Sequence, residues 1–161
     1  MSNSDSPSSR LDHGQLVDEL GALPEELSRL LQGISNDALR RPASGGGWGV
    51  VEVLCHLLDW DEIFLWRLEA VLDSANPDLP AFDGALWDIE HDYRSQDPRA
   101  VLAKFADVRG SFTRHLVNLD AAGWVREGNH SQRGSINVEW LAAQLRDHSR
   151  EHLAQIHEAL A

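Results

Sequence analysis

Apolar positions recur every three to four residues in four stretches of the chain, the period of a helix face rather than the two-residue alternation of a strand. The first stretch, about residues 12–34, puts Leu16, Leu20, Leu23, Leu27, Leu30 and Ile34 on one stripe. Gly21 and Pro24 interrupt it, which predicts a kink or a fresh start with Pro24 in the first turn. The second, about residues 50–72, carries Val50, Leu54, Leu57, Asp61, Phe64, Leu68 and Val71 and follows the punctuation Ser44-Gly-Gly-Gly47-Trp48. The third opens at Asp97-Pro98, a cap residue followed by proline in the first turn, and aligns Val101, Phe105, Val108, Phe112, Leu116 and Leu119. The fourth starts at Asn137, an N-cap with Glu139 in the first turn. Its stripe runs Val138, Leu141, Leu145, His148, His152, Ile156, Ala159, and the helix is expected to end near Leu160.

The connections shape the topology. Between the second and third stretches lie residues 73–97, rich in turn formers yet holding Phe82, Trp87 and Tyr93; a loop this long in a compact domain is functional or a crossover. Residues 124–136, with Gly128, Asn129, Gly134 and Ser135, read as a turn-rich loop or a small hairpin. The fold class expected is therefore all-α: a four-helix bundle with a long crossover between helices two and three. At 161 residues the chain has room for one core, so residues 11–161 form a single domain and the Ser-rich residues 1–10 a disordered N-terminus.

Composition narrows the partners. The formal charge is −12, and no basic stripe could track a phosphate backbone, which argues against nucleic acid and anionic membrane surfaces. No stretch approaches the ~18 apolar residues of a membrane span, and no signal-like segment opens the chain; a cytoplasmic protein is expected. A single cysteine, Cys55, rules out an internal disulfide framework and a Cys-rich zinc module, so any metal must sit on His, Asp or Glu. Cys55 itself reads as a buried, inert thiol. Gly45-Gly-Gly47 lacks the Lys-Ser/Thr ending of a phosphate loop and is a flexible helix entry. Trp60, Trp66 and Trp140 read as core or interface fillers, while Trp87 and Tyr93 are candidates to roof a pocket.

Eight histidines remain to be explained. His148 and His152 are four apart, so they lie one above the other on a helix, and they occupy its core stripe. Interior imidazoles must be satisfied by hydrogen bonds or by a metal, and the spacing alone leaves both open. A two-histidine site needs a third ligand from another helix. His56 is the best-placed candidate; His115, His91 and His130 are alternatives, and His13 and His157 look peripheral. Three neutral imidazoles with an open fourth position form a catalytic rather than a structural pattern, and imidazole suits Zn, Ni, Fe or Cu alike.

Three runs carry a resemblance. Trp48-Gly-Val-Val-Glu52-Val-Leu-Cys-His56-Leu-Leu-Asp59-Trp-Asp-Glu62, then Ala-Lys-Phe-Ala-Asp-Val-Arg ending at Arg109, then Asp147-His148-Ser-Arg-Glu-His152-Leu-Ala-Gln155-Ile156 together resemble the DinB/YfiT-like superfamily. The match is in order from about Leu16 to Leu160. The resemblance implies a four-helix bundle with a divalent metal, Zn, Ni or Fe, on His56, His148 and His152. It further implies a small-molecule substrate, a homodimer, and in some relatives a low-molecular-weight thiol as co-substrate for S-transferase or isomerase chemistry. Ser149 departs from the Asp or Asn common after the first histidine of the pair, which bears on the surroundings of the ligands and not on the ligand set.

A metal with an open position could polarise a carbonyl or activate water or a thiol. Glu52, Asp59 and Glu151 are near enough in sequence to orient the imidazoles, with solvated surface acids as the plainer reading. Arg109 is a candidate to hold an anionic thiol or substrate, or else a salt bridge within the bundle. Three functions are in contention: thiol-dependent transferase or isomerase, metal-dependent hydrolase, and a non-enzymatic helical dimer or ligand-binding module with structural histidines.

Overall fold

The computed structural model describes residues 11–161; the N-terminal segment expected to be disordered lies outside the described residues. Seven helices and three short strands follow in the order α1 (His13–Leu30), α2 (Asn36–Arg40), α3 (Val50–Asp73), β1 (Asp78–Leu79), α4 (Trp87–Glu90), α5 (Pro98–Val117), α6 (Ala121–Trp124), β2 (Glu127–His130), β3 (Gly134–Asn137) and α7 (Val138–Leu160). The four long helices are those the apolar stripes predict. Three begin at side-chain caps: Asp12 accepts from Gln15 N–H, Asp97 from Arg99 N–H and Asn137 from Trp140 N–H. The fourth, α3, begins at Gly49, whose N–H donates to Glu52 Oε1 at 3.2 Å. A Cβ on Gly49 would lie 2.2 Å from the Arg41 carbonyl oxygen, so this entry accepts no other residue without moving the backbone.

In the bundle, α3 packs on α5 and α7, and α1 packs on the same two, so α1 and α3 stand diagonally. Residues 73–97 cross between α3 and α5, as expected. The all-α reading needs one addition. Residues 124–136 do contain a hairpin, β2 antiparallel to β3 with Gly134 at φ +74°, and the crossover contributes β1 as a parallel third strand in the order β1-β2-β3. A strand of two residues leaves no alternation for a sequence pattern to detect.

A fresh start at Pro24 does not occur: α1 runs through Gly21 and Pro24. Proline deprives the Leu20 carbonyl of its helical donor. That carbonyl accepts instead from Arg109 Nη1 of α5 at 3.1 Å. Arg109 belongs to a polar layer between two apolar clusters, one around Leu27, Leu54 and Phe105 and the other around Leu20, Leu68, Phe112 and Leu145. Its Nε and Nη2 grip Asp61 of α3 at 2.7 and 2.9 Å, and Nη2 also donates to Ser149 Oγ of α7 at 2.8 Å. All four long helices meet at this one guanidinium. Among the described residues, no helix is long and apolar enough to cross a membrane.

Candidate metal centre

His56 projects from α3, and His148 and His152 from successive turns of α7, into the seam where the two helices pack. The three offer one nitrogen each, all within 4.8 Å of one another. His56 Nε2 and His148 Nε2 are 3.1 Å apart, and the ring of His152 lies 4.4 Å from each of the other two rings. Two nitrogens bound at the usual 2.0–2.1 Å to one cation stand about this far apart.

Burial and mutual proximity hold His56 and His148 uncharged. His56 is pushed down to about 4, by desolvation first and then by His152, against an opposing pull from Asp59. His148 is pushed down to about 3, by desolvation, then His152, His56 and Arg109. Neutral imidazoles offer lone pairs, so the donor set fits a divalent cation. The same shifts set a pH dependence for the chelated protein. The unfolded chain protonates these imidazoles below the ordinary value of 6.5, whereas the folded chain resists to about 4 and 3. Stability is therefore full above about pH 6.5 and falls as pH drops below it, by about 1.4 kcal/mol per pH unit for each histidine. Urea unfolding of chelated protein at pH 7 and pH 5 measures this, with the loss expected to shrink in His56→Gln/His148→Gln; an equal loss in that variant contradicts it.

The acids expected to orient the ligands do something else. Glu52 caps α3 through Gly49 N–H and receives Arg94, whose Nη2 lies 3.2 Å away. Asp59 accepts from the Tyr93 hydroxyl and pairs with His91 Nδ1 at 2.9 Å, anchoring the crossover; only its charge reaches His56. Glu151 is exposed on the outer face of α7. The residue that does orient one of these imidazoles is Gln155, whose Oε1 is 2.8 Å from His152 Nδ1, so that Nε2 carries the free lone pair. His148 Nδ1 is buried with no protein partner.

Of the two readings of Arg109, the structure bears out the salt bridge within the bundle. Arg109 is 1 % exposed and holds Asp61, Ser149 and the Leu20 carbonyl, so it serves the core and not a substrate anion. Ser149 likewise belongs to this layer, accepting from Arg109 and donating to the Leu145 carbonyl.

Aromatic groups flank the cluster. Trp48 lies 5.2 Å from the His56 ring, Trp60 lies 6.2 Å from His148, and Trp87 from the crossover lies 5.3 Å from Trp60. Tyr93 is buried and lines a separate cavity with Cys55, Asp59 and His91. Cys55 donates to the Tyr93 carbonyl, and burial pushes its thiol up to about 12, which makes it inert as expected. The remaining histidines stand apart: His91 on Asp59, His115 on Glu69, and His13 on Glu139 with its ring stacked on Trp124. His130 accepts backbone N–H groups of the hairpin.

A four-helix bundle with three imidazoles converging between two helices defines the class: a bundle protein with a preformed three-nitrogen centre. The family model of the DinB superfamily matches residues 19–156, and the chain belongs to that superfamily. It is 26 % identical over 143 residues to YfiT of Bacillus subtilis, covering 88 % of this chain and 80 % of that protein. It is 25 % identical over 140 residues to a relative from Oceanobacillus iheyensis, covering 87 % and 81 %. Both carry names that assign them provisionally to the metal-dependent hydrolases. The solved structure of Bacillus subtilis YfiT, described as an unusual four-helix bundle, superposes with a TM-score of 0.84 at 24 % identity, covering 96 % of this chain and 90 % of that one.

Proposed function

We propose that this chain is a metal-dependent hydrolase of small molecules, with His56, His148 and His152 as the metal ligands. The observation that carries the reading is the convergence of three imidazole nitrogens within 4.8 Å of one another, with those of His56 and His148, which burial holds neutral, 3.1 Å apart. The names of the two relatives point the same way. When bound, a divalent cation supplies Lewis acidity, which polarises a substrate carbonyl and makes water a nucleophile at neutral pH. The chain's own residues prepare that chemistry. Gln155 accepts the Nδ1 proton of His152 and fixes its tautomer. Trp48, Trp60 and Trp87 restrict water around the imidazoles and lower the local dielectric.

The thiol-transfer chemistry implied by the resemblance uses the same centre, and one assay separates the two readings. Protein loaded in turn with Zn²⁺, Ni²⁺ and Fe²⁺ is incubated with an ester and amide panel, and separately with thiol and electrophile pairs. Metal-dependent hydrolysis, lost on chelation and in His148→Ala, is the expected result. Turnover that requires a thiol replaces hydrolase with transferase. No metal uptake at all overturns both.

A further inference from the structure

Beside the histidine cluster lies a cavity of about 260 Å³ that shares Trp60 and His148 with it. Its far wall is basic, although the chain carries 26 acidic residues against 14 basic ones. Arg67 of α3 lines it and is only 4 % exposed. Its Nη2 donates to the Pro80 carbonyl at 3.2 Å, its Nε is buried with no partner, and among the described residues no carboxylate lies within 4.0 Å of it. Its guanidinium sits 5.5 Å from the Phe64 ring centre and 5.7 Å from that of Phe82. A buried cation with no counter-charge is unfavourable, and every other strongly buried charge here is paired: Arg109 with Asp61, and Glu52 with Arg94.

Two further groups face the same space. Arg133, from the β2–β3 hairpin, lies 5.3 Å over the Trp140 ring and likewise has no acidic partner among the described residues. His130 accepts the N–H groups of Gln132 and Arg133 at Nδ1, both at 3.2 Å, which places its proton on Nε2 as a donor. Burial, and after it the Arg133 guanidinium, disfavours the charge on Arg67; burial, and after it both guanidiniums, disfavours protonation of His130. No carboxylate lines the cavity.

We propose that this cavity binds the carboxylate of a small organic acid on Arg67 and Arg133, with Trp60 and Trp140 against its apolar body. The planar guanidinium fork suits a carboxylate, and the volume admits a body about the size of one ring. That the acid is the substrate of the neighbouring centre rests on the hydrolase reading above; the carboxylate site itself does not.

Benzoate and its neutral isostere benzamide are the probes, followed by tryptophan fluorescence and calorimetry on both chelated and Zn²⁺-loaded protein. Benzoate is expected to bind both forms at least about tenfold more tightly than benzamide, the worth of one charge-assisted hydrogen bond. Arg133→Ala should weaken benzoate about tenfold or more while leaving metal content and melting unchanged. Arg67→Gln is expected to do the same, and Arg133→Ala decides the matter should Arg67→Gln fail to fold. Benzoate binding no tighter than benzamide, or binding that vanishes on chelation and ignores Arg133→Ala, overturns the carboxylate site. Benzoate binding to protein that takes up no metal leaves the site standing and overturns the hydrolase reading instead.

Discussion

Arg109→Met is expected to destabilise the protein by about 3–5 kcal/mol, read as a fall in the urea midpoint at unchanged slope. The substitution leaves Asp61 as an uncompensated carboxylate at 0 % exposure, already pushed up by burial and held back only by this guanidinium. It also strands the Leu20 carbonyl and one lone pair of Ser149. Two companion variants separate these causes. Arg109→Met/Asp61→Leu removes the stranded charge and should recover most of the loss, since a buried ion pair replaced by apolar groups of similar volume is near neutral. Pro24→Ala restores a helical N–H to the Leu20 carbonyl, so Arg109→Met should cost about 0.5–1.5 kcal/mol less in that background. A cost below about 1 kcal/mol for Arg109→Met, or no coupling to Pro24→Ala, contradicts the role given to the layer.

The second large effect concerns metal uptake. His56→Ala, His148→Ala and His152→Ala should each abolish stoichiometric binding of Zn²⁺ or Ni²⁺ by untagged protein, measured by elemental analysis after dialysis. Gln155→Leu should retain stoichiometry at saturation and lose about 10–100-fold in affinity, because it removes the acceptor for His152 Nδ1 and not a ligand. Glu151→Gln, on the outer face of α7, should change nothing. Full metal content in all three alanine variants contradicts the assignment. Equal affinities for Gln155→Leu and the parent protein contradict the orienting role.

The long helices were legible because each carries a clean stripe and three carry a side-chain cap. His148 and His152 were legible for the same reason, since polar rings stood where the stripe required apolar ones. Glu151 keeps the solvated surface position that is its plainer reading, while Glu52 and Asp59 are taken up by partners that closeness in sequence to a histidine does not show. Glu52 sits three residues into α3 behind a glycine, a capping position, and that signal was available. Gln155 was also available, three residues beyond His152 on the same helix face. Asp59 and Arg109 were not, because their partners lie 32 to 89 residues away and nothing local marks them. The same distance hides Arg67, whose significance is the absence of a partner, visible only in three dimensions.

The guanidinium layer also acts as a ratchet stop. Ser149 follows His148 directly on α7, so the contact that joins Ser149 to Arg109 fixes how far α7 can slide along α3. A slip of one turn, about 5.4 Å, would part Ser149 from Arg109 and His148 from His56 in the same movement. The height of the imidazoles is therefore set by a lock that involves no cation, and the centre is aligned by folding before any ion arrives.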